Sequence, residues 1–461
     1  MIQKKYNAVE QFLIFIGIGV AIAYAVCFEY ADSRTLTVWS YDLLDVLFRG
    51  EILNFYEYII ENVRGAQHFM CAGNFFPMIP LAIWNFPVWL VSILLHIQNV
   101  STGFFVLWTK LFYTVLFVLT IYRMNRISEE IQDGENKWRK YIFLLMLGSC
   151  EIIFSLYYAG QDEIVYIFFM IQAVFYYIIG NSKRFYVFSI MSVLCCQLML
   201  IPYLLLVVFE DKKWYSIASK LCIAIIPSQI FDIIYAQNPR YRFNEADNFI
   251  EWFFGRNIFH TGLGGVSILA VILVFIYGYA YLYNSERKSR KEVIRDKLYF
   301  VSMAVCAVTF LGWDQFYRSF IWVPFILLFV INYNTGSIEI NIMIVVIVSI
   351  LRTLINCISR DNILQAVSLS ENMKKFFESH QMVVRNINNS LFDSIVKEGS
   401  QITLLINSAM IGGILFFFHI NCKDNERKWE TSNSIHLLIT AYYFVAPVLI
   451  LYFFYKILLI V

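Results

Sequence analysis

Apolar residues run along this chain in long blocks separated by short polar ones. Blocks of about 17–25 residues are long enough to cross a bilayer as helices. They fall near 11–28, 103–122, 141–158, 164–180, 185–209, 215–236, 262–283, 298–312, 317–333, 340–358, 403–420 and 434–458. The stretch 78–97 carries Pro80 and Pro87 and is expected to be broken or re-entrant. The stretch 185–209, interrupted by Gln197 and Pro202, reads as a pair of half-helices. The pattern predicts an all-α, polytopic transmembrane helical protein with about 11–13 spans, some of them broken. A first transmembrane module is expected over residues 1–333. A second, over 334–461, carries the polar segment 359–402.

Between the first two blocks the period changes. From Thr35 to Phe48 apolar residues recur at three and four (Leu36, Trp39, Leu43, Leu44, Leu47), which predicts an amphipathic helix lying in the membrane interface. A second such candidate runs from Ile52 to Val63.

Composition excludes the soluble alternative. Of 461 residues, 59% are apolar and 15% charged, against about 25% charged in a soluble domain. A net charge of +2 excludes a binder driven by phosphate neutralisation of nucleic acid. The nine cysteines are scattered without a CxxC pair and read as small core residues. The apolar run Phe12–Phe28 is too long for a signal-peptide core and is read as a retained first span.

Lys and Arg set the orientation. With the N-terminus inside, and with 78–97 and 185–209 each returning to its starting side, 20 of the 36 basic residues fall in short inner segments. The groups are Lys4 and Lys5, Arg123 to Lys140, Lys183-Arg184, Lys212-Lys213, Arg287 to Lys297, and Lys423 to Lys428. The outer face then holds the longer, chemically varied segments 29–77, 159–163, 238–261, 313–316 and 359–402.

Four outer positions carry candidate chemistry. Asp32 stands at the mouth of the first span, where partial desolvation raises the basicity of a carboxylate; the plainer alternative is an N-cap of the helix that follows. Tyr158-Ala159-Gly160-Gln161-Asp162-Glu163 joins two apolar runs, with Gly160 permitting a tight turn. Carboxylates at a span end need solvation, pairing or a use. The plain reading of that turn is a polar cap. Gly312-Trp313-Asp314-Gln315-Phe316-Tyr317-Arg318 ends in an arginine able to fork a phosphate, or to snorkel to head groups. Segment 238–261 adds Arg240, Arg242, Arg256 and His260 beside Trp252, Phe253 and Phe254, a set that suits a lipid phosphate or ordinary interface anchoring. The dispersed histidines argue against a histidine-based zinc site. The outer carboxylates suit either a divalent metal or metal-free chemistry. No P-loop, GxGxxG or inner DxD motif occurs. Segment 359–402 has spacing for two short amphipathic helices.

Several of these features occur in an order that resembles one family. They are Asp32, Trp39-Ser40-Tyr41-Asp42 to Gly50, Asn74-Phe75-Phe76-Pro77, Lys110 to Tyr122-Arg123, Gly160-Gln161-Asp162-Glu163-Ile164-Val165-Tyr166, and Gln197 to Pro202. Over residues 10–210 the chain resembles the GT-C glycosyltransferases, in particular bacterial proteins related to GPI mannosyltransferases. The resemblance implies that 1–333 is a GT-C-like catalytic module of a bacterial plasma-membrane enzyme. Such an enzyme takes a sugar from a polyprenyl-phosphate-linked donor, on the outer face, to a glycan or lipid-linked acceptor. It implies inverting transfer with Asp32 as general base. Positive charge for the donor phosphate is available from Arg318, Arg256 or Arg49. Gln161, Asp162, Glu163, Trp39, Asp314, Tyr317 and Gln197 are the candidate substrate-binding residues. An outer-leaflet polysaccharide polymerase and a lipid-linked oligosaccharide flippase or transporter are the alternatives.

Overall fold

The computed structural model describes residues 6–61, 76–96, 102–132, 138–236, 238, 254–255, 258–261, 264–286, 288–312, 316–332, 338–358, 367–379, 383–384, 401–422 and 434–459. Within them the chain is all-α apart from three two-stranded pairs. In chain order the helices begin with α1 (Ala8–Cys27), α2 (Ala31–Arg49), α3 (Phe55–Glu61), α4 (Met78–Leu94), α5 (Thr102–Ile131) and α6 (Lys140–Gly148). Next come α7 (Cys150–Ile153), which continues as a π-helical segment Phe154–Ala159, α8 (Glu163–Ile178), α9 (Ser182–Cys195), α10 (Leu200–Glu210) and α11 (Trp214–Tyr235). The series ends with α12 (Ile268–Leu282), α13 (Arg290–Ala307), α14 (Trp322–Asn332), α15 (Ile338–Ile358), α16 (Glu371–Ser379), α17 (Gln401–Asn421) and α18 (Ser434–Ile457).

Among the described residues five helices are long and apolar enough to cross a membrane: α1, α5, α11, α15 and α17. Several of the blocks behind the expected 11–13 spans fold, among the described residues, into shorter apolar helices. The block 141–158 bends by 59° at Ser149 into α6 and α7 with its π segment. Ser149 leaves the helical region and its hydroxyl caps α7 by accepting from the Ile152 N–H. The block 262–283 gives part of its length to a hairpin, Ile258–Thr261 against Gly264–Ser267, before α12 starts.

The two segments expected to be broken divide. The first, 78–97, holds a single helix, α4: Pro80 lies in its first turn, where no N–H partner is missed, and Pro87 is carried inside it. The second is broken as expected, at Cys196, whose backbone is extended between α9 and a short 3-10 turn, Gln197–Met199. Pro202 falls in the first turn of α10.

The chain divides into two compact units, and the expected boundary at 333/334 does not coincide with that division. One unit comprises Met1–Tyr30, Met124–Gly160 and Asp314–Val461, and the other Ala31–Arg123 and Gln161–Trp313. Helix packing is non-local, so sequence-contiguous loops mark these units poorly.

In the first unit α1, α6 and α18 lie side by side. The Tyr24 hydroxyl donates to the Ala446 carbonyl (3.0 Å) and that of Tyr443 to the Leu144 carbonyl (2.8 Å). A reciprocal amide pair, Asn341 with Asn421, ties α15 to α17. Phe28–Tyr30 pairs antiparallel with Val367–Leu369, the described start of the segment expected to form two helices; α16 is the helix described within it.

In the second unit α2 packs on α4 around Trp39, Leu43, Trp89 and Phe105. The expected one-sided amphipathic helix is corrected here. Thr37, Ser40 and Asp42, on its polar side, are as fully buried as its apolar residues. On α11 most of the apolar surface is outward, including Ile223, Ile226, Ile230 and Ile233. An exposed stripe of that size is compatible with lipid and unfavourable in water.

Candidate functional site

In the second unit Arg123, Arg184, Lys212, Arg290 and Lys297 collect at one end. The Arg123 guanidinium lies 4.2 Å from the Phe175 ring and that of Arg184 lies 5.2 Å from the Tyr176 ring. Glu210 accepts from Tyr177 (2.6 Å) and Lys297 (2.5 Å). Lys212 donates to the Ala280 carbonyl (2.7 Å) and Arg290 to that of Ile178 (2.9 Å). The loops 183–184, 212–213 and 288–297 thus share one end with Arg123, the grouping the charge pattern requires. Beside them the Lys220 ammonium, the Ser216 hydroxyl and the Lys213 backbone N–H hold the Asp211 carboxyl well below the usual carboxylate range.

Counting residues from that end gives a depth, since an α-helix rises about 1.5 Å per residue. Tyr113 is ten residues before Arg123 on α5, and Glu163 is twelve before Phe175 on α8. Cys195 is eleven after Arg184, and Leu200 is ten before Glu210. These steps correspond to about 15–18 Å, half of a hydrocarbon core of about 30 Å. The counts on four helices agree. The acid turn at the head of α8 and the break between α9 and α10 therefore sit at a similar level. The pair α9–α10 leaves the basic end, turns at Cys196–Met199 and returns to it, as the charge pattern requires.

The unit also carries buried polar groups between α2, α4 and α5. The hydroxyls of Thr37 on α2 and Thr109 on α5 share a hydrogen bond of 2.9 Å. The Asn85 amide on α4 donates to the Ser40 hydroxyl (2.8 Å), and the Trp89 indole donates to Asp45 (2.7 Å). Lys110 is 2% exposed, one turn before Tyr113 on α5. Tyr113 lies in the fields of Asp162 and Glu163, and the Cys195 thiol in that of Asp162. Cys195 Sγ is 3.9 Å from the Phe76 carbonyl oxygen. Tyr113 on α5, the Asp162-Glu163 turn, Cys195 at the end of α9 and Phe76, distant in sequence, thus come together.

The sequence candidates fare differently. Gly160 takes the left-handed conformation (φ 63°, ψ 49°) that closes the π segment and points the chain into the turn. Asp162 occupies the N-cap position of α8 and makes no side-chain capping bond there. Gln161 and Glu163 are buried, and Gln197 is exposed with its amide 3.5 Å from the Ser228 hydroxyl. Trp39 is a packing residue of the α2–α4 core, 7% exposed.

Asp32 is the second residue of α2 and so does not cap it; its side chain lies outside the described residues. Arg49, exposed and 5.3 Å from the Tyr58 ring, ends the same helix. Seventeen residues separate it from Asp32, about 25 Å along the helix axis. Arg49 and Asp32 are not brought together. Arg318, half-buried, lies in a 3-10 turn of the first unit, Phe316–Ile321. The Tyr317 side chain, Asp314 and Arg256 lie outside the described residues, as do Asn74, Phe75, Arg240, Arg242, Trp252, Phe253, Trp313 and Gln315.

Comparison with family models, with curated proteins and with solved structures finds no match.

The first unit holds a separate buried group that the apolar pattern concealed. Glu151, just past the bend in 141–158, is 1% exposed. Its Oε2 accepts from the Trp322 indole N–H at 3.0 Å, and Ser319, Ser349 and the charge of Arg352 face the carboxylate. The Ser349 hydroxyl is 3.0 Å from that of Tyr442. A serine after glycine with an acid two residues on, Gly148-Ser149-Cys150-Glu151, is the helix-start signal that marks the bend. Among the described residues no group of three metal-ligating side chains occurs.

Proposed function

We propose that this chain is a polytopic membrane glycosyltransferase of GT-C type. In this reading it moves a sugar from a polyprenyl-phosphate-linked donor to a glycan or lipid-linked acceptor. The observation that supports it best is the polar, acidic level half-way along the second unit, built by the Gln161-Asp162-Glu163 turn and a returning helix pair. Irregular backbone at such depth is tolerated where it lines a cavity. In this reading the basic end of the second unit faces the cytoplasm of a bacterial plasma membrane, and the chemistry opens to the outer face.

Asp32 accepts the proton of the acceptor hydroxyl as its oxygen attacks the anomeric carbon. The bond from that carbon to the phosphate oxygen breaks, with inversion, and the lipid phosphate leaves. Arg256, which belongs to the same unit as Asp32, offsets the charge on that phosphate. The test is transfer of radiolabelled sugar by the purified protein across a panel of polyprenyl-phosphate sugars. Asp32→Asn is expected to abolish transfer without loss of expression; full activity in that variant removes the assignment of the base.

A transporter or flippase of lipid-linked oligosaccharide is the second reading. Buried ionisable groups favour it, Glu151 and Arg352 in one unit and Asp42, Lys110 and Glu163 in the other. Proteoliposomes that carry the lipid-linked substrate across intact, with no new glycosidic bond, support it over transfer.

A further inference from the structure

The inference concerns what the acid turn binds, and it rests on the transferase reading. Tyr113 is 0% exposed, and its hydroxyl has no hydrogen-bond partner among the described residues. The same holds for the amide nitrogen of Gln161, a residue 4% exposed. A buried donor left unmade costs about 1–3 kcal/mol, so two of them at one level call for a use. Beside them stand two carboxylates, Asp162 and Glu163, in whose fields Tyr113 lies.

This set of groups selects a ligand class. Two carboxylates repel an anion, so the donor phosphate does not belong here. A divalent cation gains from the carboxylates but meets the amide N–H groups and, one turn along α5, the buried ammonium of Lys110. A neutral hydroxyl both accepts and donates. It takes hydrogen bonds from Tyr113 and Gln161 and gives its own proton to a carboxylate oxygen. A pair of neighbouring hydroxyls on one ring uses all four groups. A neutral ligand also suits a level about half-way through the bilayer, where a charge is costly.

We propose that Tyr113, Gln161, Asp162 and Glu163 form a saccharide subsite that holds a sugar ring through two neighbouring hydroxyls, with Tyr113 and Gln161 donating and the carboxylates accepting. Tyr113 is then a ligand-contacting residue that the sequence pattern, a tyrosine inside an apolar helix, does not reveal.

The test uses the full chain purified in lipid nanodiscs. Free mannose, glucose, galactose, xylose and N-acetylglucosamine are titrated in turn, with thermal stability and tryptophan fluorescence read. At least one sugar is expected to bind the wild type. Tyr113→Phe should bind it about tenfold more weakly, and Gln161→Leu likewise, about 1.4 kcal/mol each. Without sugar, Tyr113→Phe should melt no lower than the wild type, because no protein hydrogen bond is lost. A ligand-free melting temperature lowered by several degrees assigns the hydroxyl to the fold and overturns the proposal. Equal sugar affinity in wild type and Tyr113→Phe overturns it too, as does a wild type that binds none of the five sugars. Sugar binding that behaves as expected, with no transfer from any lipid-linked donor, removes the transferase reading and leaves the subsite standing.

Discussion

Replacing Glu151 by leucine should be among the most damaging single changes in the protein, and replacing Arg352 as well should undo most of the harm. Both side chains are nearly inaccessible, and the carboxylate lies in the field of the guanidinium. Removing one member of a buried pair strands the other, at about 3–5 kcal/mol. Glu151→Leu also leaves the Trp322 indole N–H without its 3.0 Å acceptor, worth about 1–3 kcal/mol more. Arg352→Met alone strands the carboxylate at about the same 3–5 kcal/mol. In the double variant neither of these two charges is left buried. What persists is the unmade indole bond of about 1–3 kcal/mol, with the acceptor that Ser319 and Ser349 faced also gone, partly offset by better apolar packing. The single losses therefore sum to far more than the double loss, and the coupling is several kcal/mol. Unfolding by SDS titration in mixed micelles, with tryptophan fluorescence as readout, measures all three. A double variant as unstable as the sum of the singles refutes the pairing of Glu151 with Arg352.

Gly148→Ala should lower the melting temperature, because its Cβ would stand 2.7 Å from Tyr443 Cε2 and 3.1 Å from Tyr442 Cδ1. The Tyr443 ring is held in place by its bond to the Leu144 carbonyl. Overpacking of this kind costs about 1–3 kcal/mol, whereas Gly278→Ala, with nothing within 4 Å, should be neutral or gain about 0.5–1 kcal/mol from helix propensity. Asp211 gives a pH dependence. Its carboxyl is depressed in the folded chain by Lys220, Ser216 and the Lys213 N–H. The stability it contributes is therefore fully present above the unfolded value of about 3.9 and lost as pH falls through the folded one. A melting series from pH 7 downward should show that loss below about pH 4 in the wild type. Asp211→Asn should start from a lower melting temperature at pH 7 and fall less on acidification.

What the sequence revealed followed from local punctuation. Gly160 announced a left-handed turn, Gln197 and Pro202 announced the break before α10, and the lysines and arginines announced which loops share an end. Each is a local property of backbone or charge. What it concealed depended on tertiary packing. Pro80 and Pro87 suggested a broken segment, but one falls in a first turn and the other is tolerated within a packed helix. Trp39 had the spacing of an interface residue and became core because α4 covers that face of α2. Glu151 and Tyr113 lie inside apolar runs, and an average over such a run hides one carboxylate or one phenol. Only the neighbours supplied by distant helices give those two groups a meaning.

The returning pair α9–α10 bears on the membrane as much as on the protein. Its fourteen and eleven residues rise about 21 and 16 Å, so in a bilayer the pair fills little more than one leaflet. In such a placement a leaflet's depth separates Gln197 at its tip from the far head groups. On the transferase reading the chain length of the host's lipids then sets how far the donor head group must dip to meet the turn, by a few ångströms between thin and thick membranes. The surrounding lipid is thus, on that reading, a component of the binding equilibrium, and the same polypeptide moved to a thicker bilayer works against a longer descent.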